Sequence, residues 1–170
     1  ATIFVTGGAG FIGSCYVLAR CAVGDTIINL DKLTYSGNPE NVALLSGNPR
    51  HIFVHGDIGN AEIMEHPSRP IGTIPWSTLP PKANGPFYSR LGSLFVCTNV
   101  LGTRTLLCTA KAWWNELDAS KKAAFRFLHV STDEVFGALQ PGDPAFTETT
   151  PYTLSSSSIS VEEERYSKIL

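Results

Sequence analysis

Nine residues near the start of the chain, Val5-Thr6-Gly7-Gly8-Ala9-Gly10-Phe11-Ile12-Gly13, constrain its fold more than any others. Ahead of them runs Thr2-Ile3-Phe4-Val5, a β-branched and aromatic run that reads as a buried strand. Behind them, Phe11 to Ala22 reads as a helix. Gly7, Gly10 and Gly13 therefore fall at a strand-to-helix turn. Glycines there permit a tight turn, close backbone approach to a pyrophosphate, and close packing of helix on strand. The free N–H groups and the dipole at the helix start favour phosphate. A glycine triplet alone is a weak signal, but this one has its context. A second strand, Thr26-Ile27-Ile28-Asn29-Leu30-Asp31, ends on an acid 18 residues beyond Gly13. An acid there can accept from both ribose hydroxyls of an adenosine and repels a 2′-phosphate, so the pattern predicts NAD rather than NADP.

Composition narrows the class. A chain of 170 residues can bury one real core. Its 43% hydrophobic and 16% charged residues suit a globular domain. A net charge of −2 supplies no basic field for nucleic acid or an acidic membrane surface. Neither a signal peptide nor a run of 18 apolar residues is present, so the expected location is the cytoplasm. Cys15, Cys21, Cys97 and Cys108 form no CxxC pair, which argues against zinc. They lie on apolar helical faces and are expected to be reduced core thiols.

Further along, Leu33 to Asn48 is polar and rich in turn formers, with a short helix expected over Pro39–Leu45. His51 to Ile58 reads as a third strand, whose end places Asp57 and Ile58 beside the adenine. His51 and His55 share one strand face; a metal role is not the expected one. Then six prolines fall between Pro67 and Gly92, a density that no helix or central strand tolerates. Residues 67–94 are expected to be irregular, where a doubly wound fold needs a helix and its fourth strand. Apolar residues at helical spacing return over Asn99–Leu117, with Trp113 and Trp114 expected in a core or a subunit contact. Phe125 to Ser131 reads as a fifth strand, running into Thr132-Asp133-Glu134. Ionisable residues at the carboxyl end of a parallel strand sit where such sheets bind ligands. The expected fold is α/β, a Rossmann-like doubly wound parallel sheet, truncated, over residues 1–150, with a divergent tail over 151–170.

These segments together resemble the extended short-chain dehydrogenase/reductase family, and within it the dTDP-glucose 4,6-dehydratases. The resemblance rests on the glycine stretch, Asp31-Lys32-Leu33-Thr34-Tyr35-Ser36-Gly37-Asn38, Gly56-Asp57-Ile58, Thr98-Asn99-Val100-Leu101-Gly102-Thr103, Phe125-Arg126-Phe127, Ser131-Thr132-Asp133-Glu134-Val135-Phe136-Gly137 and Phe146-Thr147-Glu148-Thr149-Thr150-Pro151-Tyr152. The glycine motif is common to the superfamily; the segments beginning at Asp31 and Ser131 are more specific. It implies NAD as a recycled cofactor, held by Gly7, Gly10, Phe11, Ile12, Gly13, Asp31, Lys32, Leu33, Thr34, Asp57, Ile58 and Thr98. It implies a nucleotide-linked glucose as substrate. Glu134 would be the base that removes the C5 proton, Asp133 the acid that protonates the departing C6 hydroxyl, and Thr132 a hydrogen-bond partner of the C4 oxygen. Elimination needs two carboxyls in opposite protonation states, which suits an adjacent pair. The alternative for Asp133-Glu134 is a solvated turn.

The chain departs from the family pattern at several places. A Leu-Ala-Ala-Glu-Ser segment expected after the fourth strand is absent. The family's Tyr-x-x-x-Lys pair, whose tyrosine initiates C4 oxidation, falls at Ser158 and Glu162, which cannot replace it. The sugar-binding C-terminal domain is not in the chain. The family dimerises through the helices after its fourth and fifth strands; only the first is recognisable here, so a homodimer is not expected. Two rival readings stay open: another family member such as a nucleotide-sugar epimerase, and a non-catalytic nucleotide-binding module.

The proline-rich stretch has a simple reading at the level of codons. Back-translating Pro75 to Ala83, and reading each codon from the third base of one residue and the first two of the next, can give Val-Val-His-Leu-Ala-Ala-Glu-Ser. That is the missing segment with its preceding strand. Sequencing of the coding DNA tests this frame shift: compatible codons are expected throughout Pro75–Ala83, and a single incompatible codon would sink it.

Overall fold

In a computed structural model, the chain is described over residues 1–34, 36–64, 73–75, 96–130, 133–137 and 139–153. Four parallel strands form one sheet: β1 (Thr2–Thr6), β2 (Thr26–Asp31), β3 (His51–His55) and β4 (Thr73–Pro75), in spatial order β3-β2-β1-β4. The register pairs Phe4 with Ile28 and with Thr73, and Ile28 with Ile52. Connections between parallel strands must cross the sheet, and α1 (Phe11–Ala22) makes the first crossing. The strand order reverses beside β1, so the carboxyl ends of β1, β2 and β3 open onto one crevice.

Strand side chains alternate between faces, and this alternation divides the core in two. On one face Ile3, Val5 and Ile27 meet Val17 and Cys21 of α1, with Val42 and Leu45 closing the end. On the other, Phe4, Ile28 and Leu30 meet Leu106, with Ile58, Ile63, Trp113 and Phe127 packed around them. β1 and β2 are therefore covered on both sides, which is why their sequences run nearly continuously apolar. β3 is an edge strand, and its Ile52 and Phe53 remain exposed.

Most local expectations hold. α1 and β2 have the predicted bounds, and Pro39–Leu45 forms a 3₁₀ helix. The Asn38 side chain caps it, accepting from Glu40 N at 3.0 Å. The predicted Asn99–Leu117 helix appears as a π-helical stretch, Val96–Gly102, that continues into a regular helix over Thr103–Glu116. Before it, Ala61–Met64 is a single helical turn, α2, so the longer helix is α3. Beyond α3, a short helix α4 (Ala119–Ala124) is capped by Asp118 Oδ1, which accepts from Lys121 N at 2.9 Å. Trp113 packs on the core and against Phe125, with ring centroids 5.5 Å apart. Trp114 is partly exposed, under the Lys122 ammonium.

Four expectations need correction. β3 ends at His55 rather than Ile58, because Asp57 Oδ1 accepts from Gly59 N at 2.8 Å and turns the backbone out of the sheet. Thr73–Pro75, inside the stretch expected to be irregular, forms β4 on the edge of β1. Proline is tolerated there because an edge position leaves its missing N–H without consequence. Of the fifth strand expected over Phe125–Ser131, residues 125–130 are described and do not form a strand, with Phe127 and Val130 making isolated bridges, and Ser131 lies outside the described residues. The segment's strong β-forming composition acts instead through Phe127 as a packing residue. The cysteines are free, but only Cys21 is buried; Cys15, Cys97 and Cys108 face outward.

Leu106 is the point at which α3 grips the sheet, 2% exposed and in the cluster with Phe4, Ile28 and Leu30. Leu106→Ala is expected to cost about 2–5 kcal/mol of unfolding free energy, measured by urea denaturation. A loss of under about 1 kcal/mol would show that α3 is not docked there.

Candidate functional site

The glycine stretch forms a turn between β1 and α1. Gly7 adopts a left-handed conformation at φ 68°, closed to most side chains. Its N–H donates to Leu30 O at 2.9 Å, and Gly10 N donates to Gly7 O at 3.1 Å. Gly13 lies against the turn so closely that a Cβ would stand 2.2 Å from Gly7 O. Gly8 lies over β2, where a Cβ would meet Asn29 Oδ1 at 2.2 Å. The glycines are thus required by contact as well as by dihedral angle.

The start of α1 is open to an anion. Gly10 offers no side-chain cap, and the first turn carries no acidic residue. The first N–H groups of a helix lack intrahelical acceptors, and the dipole adds positive potential there. Phe11 and Ile12 project from this turn into solvent, with Phe11 83% exposed.

Asp31 ends β2 directly below. It is buried, and both of its oxygens are engaged: Oδ2 accepts from Ala9 N and Oδ1 from Leu33 N, each at 2.8 Å. One carboxylate therefore joins the glycine turn to the chain leaving β2. Leu33 sits at φ 51°, an unusual conformation for a branched residue, and the Asp31 bond holds it there. Each oxygen accepts one N–H and retains further acceptor capacity for a hydroxyl.

Around Asp31 lies a single cleft lined by Thr6, Gly7, Leu30, Asp31, Lys32, Thr34, Gly56, Asp57, Ile58, Thr98 and Asn99. Gly7, Asp31, Lys32, Thr34, Asp57, Ile58 and Thr98, predicted from sequence, are brought together in it. Gly10, Phe11, Ile12, Gly13 and Leu33 are not among its lining residues; Gly10 and Gly13 touch the lining residue Gly7, and Leu33 N donates to Asp31. Lys32 Nζ lies 2.5 Å from Asp57 Oδ2 and donates to Thr98 Oγ1 at 3.2 Å. The His55 ring N–H faces Lys32 O at 3.2 Å.

Two contributors were not singled out from the sequence. Asn99 is buried and lines the cleft; its place in the Thr98-Asn99-Val100 segment was the available signal. Asn29 is fully buried beneath Gly8, with Nδ2 3.3 Å from His51 Nε2. A polar residue inside an apolar strand was its signal. Burial pushes the His51 imidazole down from its ordinary value. Among the described residues, no group of three or more His, Cys, Asp or Glu comes together as a metal site.

Of the residues predicted to do chemistry, Thr132 lies outside the described residues, as do Ser158 and Glu162. Asp133 and Glu134 lie in a 3₁₀ turn, Asp133–Phe136, for which the backbone alone is described at those two positions. That turn is anchored: Val135 is buried, and Phe136 packs against Phe146 and Tyr152 at 5.2 and 5.4 Å.

Residues 3–159 match the model of the NAD dependent epimerase/dehydratase family. A dTDP-glucose 4,6-dehydratase of Xanthomonas campestris pv. campestris (strain B100) is 45% identical over 163 residues, covering 92% of this chain and 44% of that protein. Among solved structures, the dTDP-glucose 4,6-dehydratase of Bacillus anthracis str. Ames in complex with NAD aligns at TM-score 0.79 and 35% identity. That alignment covers 99% of this chain and 51% of the other. DesIV, the dTDP-glucose 4,6-dehydratase of Streptomyces venezuelae with NAD and TYD bound, aligns at TM-score 0.77 and 32% identity, over 99% of this chain and 51% of the other. The chain spans about half the length of the relatives it matches.

Asp31→Asn replaces one of two engaged acceptor oxygens by an amide NH₂, which faces a backbone N–H instead of accepting from it. The expected cost is about 1–3 kcal/mol, read by urea denaturation in the absence of any ligand. A change within about 0.5 kcal/mol would mean that the carboxylate does not hold the turn.

Proposed function

The chain belongs to the NAD dependent epimerase/dehydratase family, and from that premise we propose that it is the cofactor-binding part of a dTDP-glucose 4,6-dehydratase. The observation that carries this reading is the joining of an uncapped glycine turn to a buried acid in one cleft. The turn suits a pyrophosphate, because its glycines let it fold tightly onto β2 and the start of α1, where the first N–H groups of the helix have neither a side-chain cap nor an acidic neighbour. The spare acceptor capacity of Asp31 suits ribose hydroxyls, and its charge opposes a 2′-phosphate. Asp57, Ile58 and Thr98 form the wall against which an adenine would lie.

Bound NAD would supply a hydride acceptor for C4 of the nucleotide-linked glucose and return the hydride to C6. The chain's own groups divide the proton chemistry. Glu134 removes the C5 proton that a C4 ketone makes acidic, and Asp133 protonates the leaving C6 hydroxyl. Thr132 donates to the C4 oxygen. Two neighbouring carboxyls suit these opposite tasks, since ionising one disfavours ionising the other. This assignment rests on the Ser131-Thr132-Asp133-Glu134-Val135 segment and the likeness to the dehydratases.

Ser158 and Glu162 favour a second reading for this chain, in which the cofactor binds without turnover. Serine is a far weaker acid than a tyrosine beside lysine, and glutamate would oppose its ionisation rather than assist it.

Calorimetric titration with NAD decides the first point: saturable binding is expected for the chain, lost at least about 100-fold in Gly13→Ala, where the new Cβ would collide with Gly7 O. No binding to the unaltered chain would overturn the proposal. Incubation with dTDP-glucose and NAD decides the second, with no 4-keto-6-deoxy sugar expected. Its formation would show that Ser158 and Glu162 do not prevent turnover.

A further inference from the structure

Lys32 follows directly on Asp31 and is the single basic residue among the described residues lining the cleft. A cation beside the ribose-binding acid is the ordinary means of accepting a 2′-phosphate. Here the ammonium is already committed. Nζ lies 2.5 Å from Asp57 Oδ2, just beyond β3, and donates to Thr98 Oγ1 at 3.2 Å, just ahead of α3. Asp57 is itself held, because its other oxygen accepts from Gly59 N at 2.8 Å. Two carboxylates against one ammonium leave the lining of the cleft with one net negative charge.

We propose that Asp57 and Thr98 are specificity-determining residues, which hold the Lys32 ammonium away from the ribose so that Asp31 repels a 2′-phosphate unopposed. The inference rests on the reading that this cleft takes the adenosine end of a dinucleotide. Within it, the choice between NAD and NADP is set by a pair of charges remote in sequence as well as by Asp31. A freed Lys32 could swing toward the 2′ position, because its stem is flexible and its head is a compact charge.

The test is calorimetric titration of NAD and NADP into the unaltered chain, D57N, K32M and the double variant D57N/K32M. The amide oxygen introduced by D57N can still accept from Gly59 N, so this variant keeps the local turn. In D57N the ratio of the NADP to the NAD dissociation constant is expected to fall about tenfold, chiefly through tighter NADP. K32M alone is expected not to lower the ratio. The double variant is expected to restore it to within about threefold of the unaltered chain. An unchanged ratio in D57N, with NAD still bound, would overturn the inference and leave the dinucleotide reading intact. A low ratio persisting in D57N/K32M would also overturn it, since removal of negative charge alone would then suffice. Failure of the unaltered chain to bind either dinucleotide is a separate outcome that removes the dinucleotide reading and the inference with it.

Discussion

The carboxylate of Asp31 is the interaction on which the cleft depends. Its two oxygens take the N–H groups of Ala9 and Leu33, one from the glycine turn and one from the chain leaving β2. Hydrogen bonds to an ionised acceptor are about twice as strong as those between neutral groups, and burial keeps water from competing. The bond to Leu33 offsets a backbone conformation at φ 51° that would otherwise be disfavoured. Gly37 closes over the same carboxylate, where a Cβ would stand 2.9 Å from Oδ1. Asp31 is thus structural before it is functional, and any role it has toward a ribose uses acceptor capacity left over from holding the loop.

The parallel sheet turns this local device into a site. Because β1, β2 and β3 run in the same direction, their carboxyl ends deliver Thr6, Asp31 and Asp57 to one edge. Two apolar clusters, one under α1 and one under α3, hold the strands in register from both faces. The second cluster also positions the π-helical stretch ahead of α3, where Thr98 and Asn99 complete the wall. A Cβ at Gly102 would lie 2.8 Å from Ile58 Cγ1, so close approach of this stretch to the end of β3 also depends on glycine.

Legibility in the sequence followed the range of the forces involved. The glycine turn, α1, β2 and the capped Pro39–Leu45 helix were readable because each is set by neighbours within a few residues. Residues 125–130 misled because β-forming composition describes how a residue fits a pleated surface, and a strand needs continuous pairing rather than isolated bridges. Phe127 forms only an isolated bridge and packs, partly buried, against the cluster of Phe4, Ile28, Leu30 and Leu106. Cys15 and Cys108 misled in another way: an apolar-looking helix shows its period, but the face that meets the sheet is chosen by packing. β4 was hidden by its own proline, which an edge position tolerates and a central one would not.

By itself the sequence determined the backbone geometry at the turn, the crossing from β1 to β2, and the placing of an acid at the end of β2. Those are demands that single residue types meet locally: glycine for φ 68° and for close approach, β-branched residues for a strand buried on both faces. Only the tertiary structure decided that Lys32 is paired to Asp57 and Thr98, that Asn29 lies beneath Gly8, and that Asp31 spends two acceptor positions on its own loop. A charge or a buried amide acquires its partner from whatever the fold brings within a few ångströms, and no spacing along the chain encodes that distance.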